Sequence, residues 1–138
     1  MSDSPAAHGG VLHQAAAHGA LAECEQLLAA GEDPNQLSDD GHTALHLAAK
    51  AGHGAVVRLL VARGADPKAC TFLGNTPLHG AAYMGQLEVV LALLDSGADP
   101  AIKNQQGQTA CDRARACAKE DVVRALSGWS NGLDKDQQ

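Results

Sequence analysis

The chain has 138 residues, a formal net charge of −6 and a sequence pI near 5.5. An acidic chain without a Lys/Arg-rich face lacks the electrostatic footprint of a nucleic-acid binder. Hydrophobic residues make up 45% but aromatics only 2%, so the core must be built from Ala, Leu and Val, which suits thin, closely stacked helices rather than a large globular core.

In chain order, residues 1–7 read as an N-terminal arm. Met1 to Gly10 contains no basic region leading into an apolar run, so no secretory signal is visible. No stretch approaches the ~20 apolar residues of a membrane span. A first unit, about 8–37, reads Gly9-Gly10-Val11-Leu12-His13-Gln14-Ala15-Ala16. It lacks a threonine cap and any preceding hairpin, and it closes on Gly31 and Asp33-Pro34.

The second unit, about 38–70, opens Asp40-Gly41-His42-Thr43-Ala44-Leu45-His46-Leu47-Ala48-Ala49. Glycine before a polar step suits a tight turn, and threonine can cap the helix that follows. Gly52 ends that helix. The run Ala55-Val56-Val57-Arg58-Leu59-Leu60-Val61 then has apolar residues at helical spacing, and Gly64 with Asp66-Pro67 breaks the chain into a loop.

The third unit, about 71–103, repeats this plan with Thr76-Pro77-Leu78-His79, Gly85, a helix over 87–94, Gly97 and Asp99-Pro100. Pro77 falls at the first helical position, where no N–H is needed. The fourth, about 104–127, has Thr109-Ala110-Cys111-Asp112 and an outer helix with Lys119, Glu120, Asp121 and Arg124. More polar ends are expected of a stack whose last unit faces water. Residues 128–138 read as a flexible tail, with Trp129 two residues past the expected helix end, either folded back over the open end of the stack or part of a short partner-docking tail. Met1 and the short tails suggest a whole protein.

Thr43, Thr76 and Thr109 are 33 residues apart, as are Gly41, Gly74 and Gly107, and the three Asp-Pro pairs. A fixed period in this range marks a solenoid of stacked repeats. With Thr76-Pro77-Leu78-His79, its variant Thr43-Ala44-Leu45-His46, Gly52-His53, Gly64-Ala65-Asp66 and Gly97-Ala98-Asp99 in register, the chain resembles the ankyrin repeat family over roughly residues 8–127. The resemblance implies an all-α solenoid of four helix–turn–helix units with short β-turn fingers. In size and repeat number the chain is similar to small stand-alone members, the four-repeat inhibitors of cyclin-dependent kinases among them. It also implies a binding function, carried by a concave surface of finger tips and exposed first-helix positions.

Carried over residue by residue, those positions are Asp39, Asp40, His42, Lys50 and Ala51 in unit two, and Phe72, Leu73, Asn75, Tyr83 and Met84 in unit three. In unit four they are Gln105, Gln106, Gln108, Ala116 and Cys117, and Cys70 and Lys103 close the preceding loops. Unit three holds the chain's one Phe, its one Tyr and one of its two Met. Aromatic anchors amid polar neighbours have the character of a binding hot spot; the alternative is that they pack on the adjacent helix and turn. Asp39, Asp40 and His42 make an acidic edge, and the three glutamines a neutral one, so an apolar knob with a basic side would fit. Residues 1–66 hold 8 Asp/Glu against 3 Lys/Arg, and residues 67–138 hold 8 against 7, an imbalance that would speed association with a basic surface.

His13, His46 and His79 recur at one position, which invites a metal reading. Packed helices lie roughly 10 Å apart, whereas zinc ligands sit about 2 Å from the ion. Hydrogen bonds tying adjacent turns together, the role implied by the resemblance, fit better. Cys24, Cys70, Cys111 and Cys117 show no C-x-x-C spacing, which suits reduced thiols in the cytoplasm or nucleus. Asn35 matches a position that is hydroxylated in some ankyrin proteins. No G-x-S-x-G, Gly-Lys phosphate loop or H-E-x-x-H occurs. The expectation is a non-catalytic, monomeric adaptor or inhibitor that binds another protein, with no cofactor, metal, nucleic acid or membrane. The competing expectations are a metal-dependent regulator or enzyme using His and Cys, and self-association through unit three.

Overall fold

The computed structural model describes residues 10–136; the N-terminal arm expected over 1–7 lies outside them. Eight helices follow in four pairs: α1 (Gly10–His18) and α2 (Leu21–Ala29), α3 (Ala44–Ala51) and α4 (Gly54–Ala62), α5 (Pro77–Met84) and α6 (Leu87–Asp95), α7 (Ala110–Ala116) and α8 (Glu120–Asp136). Among the described residues there is no strand. Each pair packs as a hairpin, and the pairs stack so that α1, α3, α5 and α7 form one row and α2, α4, α6 and α8 the other.

Capping chemistry sets where the first-row helices start. Thr43, Thr76 and Thr109 sit in extended backbone, and their side chains accept from the backbone N–H three residues on. In return, His46, His79 and Asp112 accept from the threonine N–H, completing reciprocal capping boxes. Alanines at 48, 49, 81 and 82 are fully buried, and their small size lets adjacent first-row helices approach. Leu45, Leu60, Leu78 and Leu93, also fully buried, are among the largest apolar side chains of the core.

The first-row helices end in the left-handed region at Gly52 (φ 86°) and Gly85 (φ 74°). Unit four places Ala118 at the equivalent position with φ 58°. An L-residue there crowds Cβ against the following carbonyl. Ala118→Gly is therefore expected to stabilise the fold by about 0.5–1 kcal/mol, strain relief outweighing the added freedom of the unfolded chain. A urea midpoint unchanged or lowered relative to wild type would contradict this.

The last helix departs from expectation. It runs unbroken to Asp136, so the tail expected from residue 128 begins as helix, and Trp129 lies within the helix rather than beyond it. Val122 and Leu126 are buried and Trp129 packs against the same core. These residues, four and three apart, continue one helical face. Ser127, Gly128, Asn131 and Gly132 are weak helix formers, but burial of that face overrides propensity. Trp129 thus adds to the core from inside the helix.

Candidate functional site

Between consecutive units the chain forms a finger. In each of the three, a β-turn closes with a backbone bond: Gly41 N–H to Ser38 O, Gly74 to Thr71 and Gly107 to Asn104, all 2.9 Å. Ser38 Oγ, Thr71 Oγ1 and Asn104 Oδ1 then accept backbone N–H groups of residues 42, 75 and 108. A histidine ladder joins the fingers to the helices. The Nε2 atoms of His13, His46 and His79 lie 3.0, 2.9 and 2.8 Å from the carbonyl oxygens of His42, Asn75 and Gln108.

A carbonyl can only accept, so Nε2 carries the proton, while Nδ1 of His46 and His79 accepts from Thr43 and Thr76. Both nitrogens of those two rings are thus engaged within the protein. Burial is the main cause that pushes the His46 pKa down to about 4, and it lowers that of His79 as well, where the nearby Arg113 charge adds to the effect. In unit four, Asp112 stands in the position of the histidine. Hydrogen bonding from the Thr109 N–H is the leading cause that holds its carboxyl below the ordinary value. Among the described residues no group of three or more His, Cys, Asp or Glu is placed to hold a metal ion.

On the face formed by the fingers and the first-row helices lies an open groove of about 270 Å³, centred on unit three. Seven of the expected contact residues line it: Asp40, His42, Lys50, Phe72, Leu73, Asn75 and Tyr83. Phe72 and Leu73 are 63% and 65% exposed at the finger tip. The Phe72 ring nonetheless rests on the preceding finger, where a Cβ on Gly41 would come within 2.7 Å of it. Tyr83, 40% exposed, presents its ring face to the Arg113 guanidinium at 4.4 Å, a cation–π pair across two units. The His42 ring meets that of His46 edge-on at 5.9 Å.

Several expected residues also bond within the protein, and others lie apart from the groove. Asn75 is half-buried, and its Oδ1 accepts from Asn104 Nδ2 at 2.8 Å. Gln105 donates from Nε2 to Phe72 O and from its backbone to Leu73 O, both 2.9 Å, which fixes the Phe72–Leu73 tip. The carbonyl of Gln108 ends the histidine ladder, and the Gln106 N–H donates to Asn104 Oδ1. Asp39 is exposed at its turn, and Met84, 43% exposed, does not line the groove. Ala51, Ala116, Cys70 and Lys103 are exposed and Cys117 is half-buried. Asn35 ties unit one's loop to the next, donating to Gly64 O and accepting from the Asp66 N–H.

Sequence reasoning missed Gly80 and Arg113, both of which line the groove. Their signal lay in the repeat itself: they occupy the position held by Gln14 and Leu47 in units one and two. The glycine opens the floor of the groove, and the arginine of the next unit supplies its wall.

A family model for ankyrin repeats (3 copies) matches residues 12–104. No curated relative matches the sequence. The 33-residue period, the paired helices, the capping boxes and this match agree: the chain belongs to the ankyrin repeat family, whose members generally mediate protein–protein interaction.

Proposed function

We propose that this protein is a non-catalytic, monomeric adaptor or inhibitor that binds a partner protein through the concave face of its repeat stack, centred on the third repeat. The observation that carries the reading is the cluster of Phe72, Leu73 and Tyr83 around one groove, each at least 40% exposed, with Met84 exposed next in sequence. In a chain with three aromatic residues in all, two of them stand at this one exposed site. Exposed apolar clusters rimmed by polar groups mark interaction sites, and central aromatic anchors carry most of their energy. His46 and His79, beneath the groove, have both ring nitrogens bonded to the protein and serve as struts. Among the described residues no helix is long and apolar enough to cross a membrane. The four free cysteines fit residence in the cytoplasm or nucleus.

Capture from a lysate of the source cells, read by mass spectrometry, tests the reading. The joint variant Phe72→Ala, Tyr83→Ala, Met84→Ala is expected to keep the wild-type helical signal and a cooperative melt. It should lose the captured protein by at least about thirtyfold in affinity, since one central anchor is worth roughly 2 kcal/mol. Equal retention by wild type and variant would move the site away from unit three. A mass that rises with concentration in light scattering would replace the monomeric adaptor with a self-associating one.

A further inference from the structure

We propose that the third-repeat groove recognises an acidic–apolar segment of its partner, seating one apolar side chain over Gly80 and holding the adjacent carboxylate between Lys50 and Arg113. The inference rests on the reading of that groove as the binding site and adds the chemistry of what enters it.

Size is the first argument. At about 270 Å³ the groove falls just short of the roughly 300–1,000 Å³ of small-molecule and cofactor sites. It matches a side chain with its neighbour better than a whole ligand. The second argument is the floor. Unit two fills the equivalent position with Leu47, and unit four with Arg113. A Cβ built on Gly80 would meet only Lys50 Cβ, at 3.8 Å, an ordinary van der Waals distance. The space above Gly80 is therefore open, and Phe72, Leu73 and Tyr83 give it apolar walls.

Charge is the third argument. The chain as a whole carries −6, yet the groove is lined by two fixed cations, Lys50 and Arg113, against one carboxylate, Asp40. Among the described residues neither cation is in an ion pair. The Arg113 guanidinium carbon stands over the Tyr83 ring, 4.4 Å from its centroid, which holds the cation at the groove wall. Its one side-chain hydrogen bond, to Gln108 Oε1, is 3.5 Å long. A guanidinium over a ring, outside any ion pair, keeps N–H donors for a carboxylate. An acidic residue beside the apolar anchor would thus find a cation already in place, and basic segments would be disfavoured.

The test is selection of a displayed library of random short peptides on the full chain, with two variants as counter-targets. Gly80→Leu fills the floor, and because glycine is a poor helix former the substitution favours α5. Lys50→Glu with Arg113→Glu reverses the lining charge. Circular dichroism melts confirm that both variants are folded. The expected result is that peptides selected on wild type are enriched, relative to the input, in Asp or Glu next to a large apolar residue. Both variants should bind them at least about tenfold more weakly, as expected when charge-assisted hydrogen bonds or a seated side chain are lost.

Selected peptides that require Phe72 and Tyr83 but show no acidic enrichment, or that survive the charge reversal, would overturn this inference and leave the third-repeat site standing. Peptides that survive both Gly80→Leu and the Phe72, Tyr83, Met84 alanine variant would overturn the inference and the third-repeat site together. A selection with no enrichment over the input would overturn the acidic–apolar assignment, while capture from the lysate decides the site separately.

Discussion

Acidification from pH 7 to pH 4 is expected to remove roughly 3 kcal/mol of folding stability through His46 alone, at about 1.4 kcal/mol per pH unit of displacement. Burial lowers its pKa from 6.5 to about 4 in the folded state. The unfolded chain therefore takes up a proton at higher pH than the folded one does. Stability is fully present above pH 6.5 and falls as the pH drops from there towards 4, where the folded ring protonates as well. His79 is displaced in the same direction and adds to the loss. A protonated Nδ1 can no longer accept from Thr43 or Thr76, so each charge also opens a capping box. The lowered Asp112 acts below its ordinary 3.8, so its contribution is lost at more acid pH and leaves the histidine window clear. Urea denaturation at half-unit pH intervals measures the effect; a flat profile between pH 6.5 and 4 would contradict the ladder as described.

Leu78→Ala is the second large effect, with an expected destabilisation of about 2–5 kcal/mol. Leu78 is 1% exposed, and its helix α5 packs against both α3 and α7. A cavity there weakens two inter-repeat interfaces at once, and in a stack each repeat leans only on its neighbours. Against a typical total of roughly 5–15 kcal/mol, this is a large share. Tyr83→Ala, one turn further along the same helix, is expected to change stability by no more than about 1 kcal/mol, the order of an exposed cation–π pair. The two together separate what α5 does for the fold from what it presents to a partner. A Leu78→Ala loss below about 1 kcal/mol, or a Tyr83→Ala loss as large as that of Leu78→Ala, would contradict this division.

The repeats were legible in the sequence because their determinants are local. A threonine three residues before a histidine, and a glycine where the backbone turns left-handed, mean the same thing wherever they occur, and the 33-residue period states it several times over. The groove was only partly legible because it is made between units. Its exposed apolar residues could be placed by position, but the Arg113–Tyr83 pair joins residues about 30 apart that meet only once α5 and α7 lie side by side. Gly80 has no side chain to mark it in the sequence, and the space above it exists only once α3 and α5 are packed. Asn75, Gln105 and Gln108 carry a structural role that their position alone did not reveal. At polar finger positions they looked like surface contacts, yet each bonds a neighbouring finger or helix. The reach of α8 escaped because Ser127, Gly128 and Gly132 suggest a stop, while the burial of Leu126 and the packing of Trp129 that extend the helix are tertiary effects.

Site-specific photocrosslinking to the captured partner tests the central claim most directly. A photoreactive phenylalanine analogue is placed at Tyr83, in the third-repeat groove, or at Leu91 on α6 in the second row, two positions of similar exposure at 40% and 43%. The account predicts a crosslink to the partner from position 83 and none from position 91. A crosslink from position 91 with none from position 83 would place binding on the outer row and contradict the third-repeat site.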